Sequence, residues 1–310
     1  MASVRVHGWQ GEAAVTLAAG DLAATFLPDL GMLGVSLRHR GQELLALPED
    51  LARYRQGHVT GLPLLAPWAN RLAGRHYQVD GVAVDLEGVA LHTDGNGLPI
   101  HGTMSARSGW RLDLVRADAG AAVLLARFDY GAGPELLASF PFPHELTVEA
   151  TVEAAALAVG TTLRPTGDRR VPVSFGWHPY LRLPGSPRSG WRLRLPARSH
   201  LLLDGQGLPD GASRAEPAED APLGERTFDD LYALGDDRRL ALAAGDRRLT
   251  VEFQQVYHYA QVFAPPGQEL VCLEPMTAPV NALGSGRCRL VAPGGSFTAR
   301  FALAVEDLRR

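Results

Sequence analysis

No lysine occurs in the 310 residues, so all 30 basic side chains are arginine and lysine Schiff-base chemistry is excluded. Cysteine is nearly as scarce. Cys272 and Cys288 alone supply neither a disulfide framework nor a cysteine-based zinc site. No run of 18 apolar residues is present to span a bilayer, and the net charge of −4 gives no basic footprint. Neither a membrane nor a nucleic acid is therefore an expected partner. The first 15 residues, MASVRVHGWQGEAAV, lack a positive region followed by an apolar one. No secretory signal is read there, and a cytoplasmic location is the expectation. Helical periodicity is also sparse, confined to a short turn over residues 48–55 that opens with Pro48, Glu49 and Asp50.

Strand signals dominate what remains. Hydrophobic residues at 46% and charged residues at 21% are enough for a packed core and exclude a mainly disordered chain. Short apolar or alternating runs at 13–19, 23–27 and 33–38 are separated by Gly, Pro and Asp, as antiparallel strands joined by turns require. Runs 76–79 and 82–86 flank Asp80-Gly81, a pair that supplies the positive φ angles of a tight hairpin. In 145–153, Leu146, Val148, Ala150 and Val152 alternate with Glu and Thr, predicting one buried and one wet face. No linker or repeat divides the chain, which reads as one all-β antiparallel unit over residues 1–310. Residues 204–226, rich in Gly, Pro, Asp and Glu, read as a long functional or disordered loop.

Several segments carry chemistry. In LVCLEPMTAPVNAL (270–283), Glu274 ends an alternating run and Pro275 stops it, placing the carboxylate at a sheet rim, with Cys272 on its face. In VPVSFGWHPY (171–180), period-2 alternation puts Val171, Val173, Phe175 and Trp177 on one face and Ser174, Gly176 and His178 on the other. GNGLPIHG (95–102) presents His101 from an irregular loop. In PWANR (67–71), Arg71 offers a rigid fork of donors that suits vicinal hydroxyls, and Trp68 offers a flat surface for a sugar ring. Asp229 and Asp230 lie between aromatics. Each feature has a plain alternative: a solvated Glu, a loop-bonding His, a core Trp, a surface ion pair, an ordinary turn. His7, His39, His58, His92, His144 and His200 show no partner pattern and read as solvent-facing.

Asn70-Arg71, Ile100-His101-Gly102, Trp177-His178-Pro179-Tyr180, Phe228-Asp229-Asp230 and Leu273-Glu274-Pro275-Met276-Thr277 succeed one another in an order that resembles the aldose 1-epimerase (galactose mutarotase-like) family over most of the chain. The resemblance implies a large antiparallel β-sandwich, or supersandwich, with a sugar cleft across one sheet. It implies an isomerase that exchanges the anomers of a free aldose, with Glu274 as general base, His178 as general acid and His101 polarising the ring oxygen. Arg71 and Asp230 would hold sugar hydroxyls, with Asp229 the competing choice, and Asn70, Trp68 and Trp177 would complete the sugar contacts. No metal, nucleotide or redox cofactor is expected, and the assembly expected is a monomer or homodimer.

The match departs from the galactose-active branch where His178 is followed by Pro-Tyr-Leu-Arg-Leu, and at Asn281, where related proteins often carry Asp. The chemistry expects an ionised Glu274 and a protonated His178, each contributing about 10²- to 10⁴-fold. Three other readings fit the same residues. They are a phosphosugar epimerase using Arg75 or Arg107, a metal site of His101, His178 and Glu274, and a non-catalytic sugar-binding protein.

Overall fold

Alternation dictates the architecture. In the strand His144–Val152 every second side chain is buried and the intervening Glu and Thr are half-exposed. Strands His76–Val79 and Val82–Asp85 pair across Asp80 (φ 52°) and Gly81 (φ 76°), the two positive angles that a type I′ hairpin needs. The computed structural model describes residues 1–47 and 51–308. Its strands form sheets of five, nine and eight strands, with two further two-stranded sheets, and every named pair is antiparallel.

The five-stranded sheet runs in chain order from Ser3–Trp9 to Gln42–Glu43. The nine-stranded sheet holds Phe297–Asp307 fifth in its order, beside Ala156–Pro165. The eight-stranded sheet is built from β1 (Leu64–Leu65), β2 (Gly176–Trp177), β3 (Tyr180–Leu181), β4 (Arg198–Leu203), β5 (Pro209–Glu216), β6 (Phe228–Leu234), β7 (Tyr259–Ala264) and β8 (Val271–Met276). Its order is β5-β4-β6-β7-β8-β2-β1, and β3 also pairs with β8.

One face of this sheet supplies Tyr232, Ala260, Val262 and Leu273 to the main core, where they join Trp177, Val159 and Phe301. Phe301 of the nine-stranded sheet meets both Trp177 and Tyr257 at ring-centroid distances of 6.0 Å, so aromatics bridge the two sheets. Burial of each such side chain contributes roughly 1.5–3 kcal/mol. The opposite face carries Leu231 and Met276, which pack with Leu65, Ala69 and Val280 in a smaller apolar cluster, and the polar side chains of Gln261 and Glu274.

Three expectations change. The helical turn appears as Leu51–Arg55, whereas Pro48, Glu49 and Asp50 lie outside the described residues; further short helices form at Pro134–Leu137 and Ala282–Ser285. Much of 204–226 is strand, namely β5 and Glu219–Pro222, which lie at the ends of their sheets. An edge strand exposed on both faces can be polar throughout, and so it imitates a loop in sequence. The run 171–180 is also three pieces, Val171–Val173, β2 and β3, rather than one strand.

Candidate functional site

Glu274 does not sit at a rim. β8 continues through Pro275 to Met276, flanked by β7 on one side and by β3 and β2 on the other, and Glu274 is only 1% exposed. Pro275 is tolerated because that second flank is interrupted: β3 pairs with Val271 and Cys272, β2 with Met276, and a break lies opposite Glu274 and Pro275. Across β7, Glu274 faces Gln261, and Gln261 in turn faces Leu231 of β6. Period-2 alternation therefore projects Asp229, Gln261, Phe263, Cys272 and Glu274 from one face. Asp230, Tyr232, Val262 and Leu273 project from the other.

His178 reaches the same face because β2 lies against β8. A Cβ at Gly176 would stand 2.7 Å from the Pro275 carbonyl oxygen, so only glycine permits that approach. Two residues on, His178 Nε2 lies 3.2 Å from Glu274 Oε1, with both side chains buried. Tyr180 stacks flat on the imidazole, its centroid 4.4 Å away and the planes 6° apart, with its hydroxyl 3.4 Å from Nε2. The His101 ring meets His178 edge-on at 5.4 Å. His101 has a φ of 66° and donates its backbone N–H to the carbonyl of Asn70, itself at φ 58°. A left-handed backbone costs a residue with a side chain on the order of 1–3 kcal/mol, a strain that clusters at functional sites. Gly102 follows at φ 68°, where a Cβ would collide with the Ala66 carbonyl at 2.1 Å.

Arg71 stands beside this pair in a tight network. Its Nε donates to Asp94 Oδ2 at 2.6 Å, its Nη1 to Asn70 Oδ1 at 3.1 Å, and its Nη2 lies 3.6 Å from Asp229 Oδ2. Gln261 Nε2 donates to Asp229 Oδ1 at 2.6 Å, linking the arginine to the neighbour of Glu274. Asn281, also left-handed, accepts from Ala73 N–H through Oδ1 and donates its own N–H to the Arg71 carbonyl. Its position thus braces the backbone under Arg71.

Burial reverses the expected charges. It pushes Glu274 well above the usual carboxylate range, with the Asp229 charge adding to the rise and Arg71 opposing it. Burial likewise pushes His178 down to about 3, and His101 well below 6.5 with help from His178, His92 and Arg71. In the pair, both shifts favour the uncharged forms, carboxylic acid and neutral imidazole, over carboxylate and imidazolium. Asp94 behaves oppositely: partial burial pushes it up, but the Arg71 bond and the N–H groups of Leu98 and Asn96 hold it below the usual value. Glu274 Oε2, Gln261 Oε1, His101 Nδ1 and His178 Nδ1 are buried without a partner in the protein. Leaving such an atom unpaired costs about 1–3 kcal/mol.

Other candidates fall elsewhere. Trp68 is 1% exposed within the core, and Trp177 donates its indole N–H to Thr161 at 2.9 Å and packs on Phe301, so neither offers a ring to a cleft. For Trp177 the cause is its place on the apolar face of its strand, opposite His178. Asp230 turns away from Glu274 and lies 3.2 Å from His200 Nε2, while His200 Nδ1 meets Glu216 at 2.9 Å. His39 and His144 are buried rather than solvent-facing. Cys272 is buried, and burial, with the nearby Glu274, raises its thiol well above the usual range. Among the described residues no group of three or more His, Cys, Asp or Glu is arranged to hold a metal ion, and no helix is long and apolar enough to cross a membrane.

Asp94, Gln261 and Tyr180 join the site without having been singled out. Tyr180 closes the Trp177-His178-Pro179-Tyr180 run without being given a role, and Gln261 leaves a trace as the polar residue inside the apolar strand YAQVFA. Two hollows adjoin the residues around the pair, one at Arg71 and Asp229 and one at His101. One, of about 530 Å³, is lined by Arg71, His200, Asp204, Asp210, Asp229 and Asp230. The other, of about 470 Å³, adjoins His101 and includes Arg55, His92, Thr103, Ser105 and Arg107.

Solved structures share this fold. A galactose mutarotase-like protein from Clostridium acetobutylicum is 20% identical, with 99% of each chain covered and a TM-score of 0.88. The galactose 1-epimerase of Lactobacillus acidophilus is 14% identical, again over 99% of each chain, with a TM-score of 0.79. An aldose epimerase homologue from C. elegans is 15% identical over 100% of both, with a TM-score of 0.76. No curated protein matches the chain. The sequence profile of aldose 1-epimerase matches residues 14–304, nearly the whole length, and the chain belongs to that family.

Proposed function

We propose that the protein interconverts the α and β anomers of an aldose whose anomeric hydroxyl is free, with Glu274 as base and His178 as acid. The observation that carries this reading is the buried Glu274–His178 pair, 3.2 Å apart, ringed by unpartnered polar atoms on Glu274, Gln261, His101 and His178. Sugar hydroxyls are the partners those atoms want. Glu274 takes the proton of the anomeric hydroxyl while His178 gives one to the ring oxygen, and the bond from C1 to the ring oxygen breaks to leave an aldehyde. Rotation about C1–C2 and the reverse transfers on the other face complete the exchange. His101 supports the ring oxygen, Arg71 and Asp229 hold hydroxyls, and Asn70 with Asp94 fixes the Arg71 fork.

The reaction leaves the proton count unchanged. One proton shared by the pair provides one acid and one base, whichever member carries it. In the free protein burial favours that proton on Glu274. Hydroxyl donors from bound sugar favour the carboxylate, so the proton passes to His178 and the pair enters the working form. Polarimetry on freshly dissolved α-glucose and α-galactose tests the proposal, and rotation should reach equilibrium faster than in buffer. Tight sugar binding with uncatalysed rates across a panel of aldoses would instead favour a sugar-binding protein.

A further inference from the structure

We propose that Asn96 and Gln206, the middle residues of two matching hairpin tips, are specificity-determining residues whose side-chain amides read the sugar hydroxyls remote from the anomeric carbon. The inference rests on the epimerase reading and adds the groups that choose the aldose. The sequence Asp-Gly-Asn-Gly-Leu-Pro at 94–99 returns as Asp-Gly-Gln-Gly-Leu-Pro at 204–209. The two tips fold alike. Asp94 Oδ1 accepts the N–H groups of Asn96 at 2.9 Å and Leu98 at 3.0 Å, and Asp204 Oδ1 accepts those of Gln206 at 2.8 Å and Leu208 at 3.0 Å. Gly97 and Gly207 supply the positive φ angles, 79° and 75°, that close each turn. Cross-strand pairing of Thr93 with Pro99, and of Leu203 with Pro209, seals the two bases. Asp, the second Gly and Leu thus build each tip. The third side chain is left exposed and, among the described residues, makes no hydrogen bond.

Both tips converge on one guanidinium. Asp94 Oδ2 accepts from Arg71 Nε at 2.6 Å, and a Cβ at Gly207 would stand 2.9 Å from Arg71 Cζ, so glycine lets the second tip lie against it. Asn96 and Gln206 both line the hollow of about 530 Å³ that Arg71 and Asp229 share. That hollow adjoins the reacting pair through Arg71 and Asp229, whose charges both act on Glu274. Its aspartates only accept hydrogen bonds when ionised, and Arg71 only donates them. A carboxamide does both, as a sugar hydroxyl does, so it can engage a hydroxyl in either sense. Asn96 is also one methylene shorter than Gln206. The two tips therefore have unequal reach, which lets them tell one end of the sugar from the other.

The test crosses side-chain deletions with hydroxyl deletions. Anomer exchange of the better of glucose and galactose, and of its 3-, 4- and 6-deoxy forms, is measured by polarimetry for wild type, Asn96→Ala and Gln206→Ala, with calorimetric titration of the same sugars. Each substitution should lower kcat/KM for the parent sugar by about three- to tenfold, through KM, as loss of one neutral hydrogen bond does. Removing the hydroxyl that a carboxamide reads should cost wild type a similar factor, and cost the matching variant less than about twofold. A merely structural tip residue would lower kcat/KM for every sugar alike and leave each deoxy penalty at its wild-type size. That result, or no loss at all, overturns the role of the residue replaced. If no sugar is turned over, the epimerase reading fails, and titration then decides alone. A Kd for the parent sugar raised about threefold or more in both variants supports the paired tips. Equal affinity in all three proteins, or no heat in wild type, ends the proposal.

Discussion

The hollow at Arg71 and the hollow at His101 are of similar size and opposite character. One gathers Asp204, Asp210, Asp229 and Asp230 around Arg71, and the other gathers Arg55, Arg107 and His92 with hydroxyls. The Glu274–His178 pair itself is nearly inaccessible, with Glu274 at 1% and His178 at 5% exposure. The difference teaches that chemistry and choice of sugar are separable here. The buried pair defines a proton exchange that any aldose can undergo, while the linings decide which groups on the sugar are welcome.

The largest expected effect falls on the pair itself. Glu274→Gln or His178→Asn should each lower kcat by about 10²- to 10⁴-fold with the fold intact by circular dichroism, as loss of a general acid or base does. Near-normal turnover in either would remove the assignment. Next comes the Arg71 side. Asp229→Asn should raise KM about tenfold, because Asp229 shares the Glu274 face and engages Arg71 and Gln261. Asp230→Asn should change KM less than Asp229→Asn does, since Asp230 lines the hollow at Arg71 but projects from the opposite strand face to Glu274 and pairs with His200. The reverse ranking would mean that strand register is a poor guide to this site.

The pH profile sharpens the comparison further. His178 is pushed down to about 3 and Glu274 is pushed up, so the pair keeps its single proton until pH rises through the raised Glu274 value. It gains a second proton only as pH falls well below 5. A flat kcat/KM from pH 5 to 7 is expected; a half-loss near 6.5 would indicate an ordinary imidazole. The smallest effect is on stability. Glu274 has a folded pKa raised above its unfolded value near 4.5, so its contribution is fully present below that value and lost as pH rises through the folded one. The Tm of Glu274→Gln relative to wild type should therefore climb as pH rises from about 4.5 through the raised folded value. No climb in differential scanning calorimetry would place the Glu274 ionisation in an unshifted range.

Much of this was legible in sequence, for physical reasons. Period-2 alternation located the strand His144–Val152, Asp80-Gly81 located the hairpin of His76–Val79 and Val82–Asp85, and alternation put His178 opposite Trp177. Yet that face assignment already argued against Trp177 as a sugar contact. The burial of Glu274 was not legible, because Pro275 ends a strand only where its missing N–H is needed, and the break between β3 and β2 removes that need. The choice between Asp229 and Asp230 required the registers of β6, β7 and β8, which no local pattern supplies. Asp94 and Arg71 are 23 residues apart, and only folding of the 95–102 loop brings them together.

The central claim is that Glu274 and His178 act as one proton-sharing unit, and a double-mutant comparison tests it most directly. Kcat should be measured by polarimetry for Glu274→Gln, His178→Asn and the double variant on the best aldose. If the pair is a unit, the double variant loses no more than about threefold beyond the worse single variant, since either substitution already disables the exchange. Losses that multiply would show two independent contributions and contradict the account.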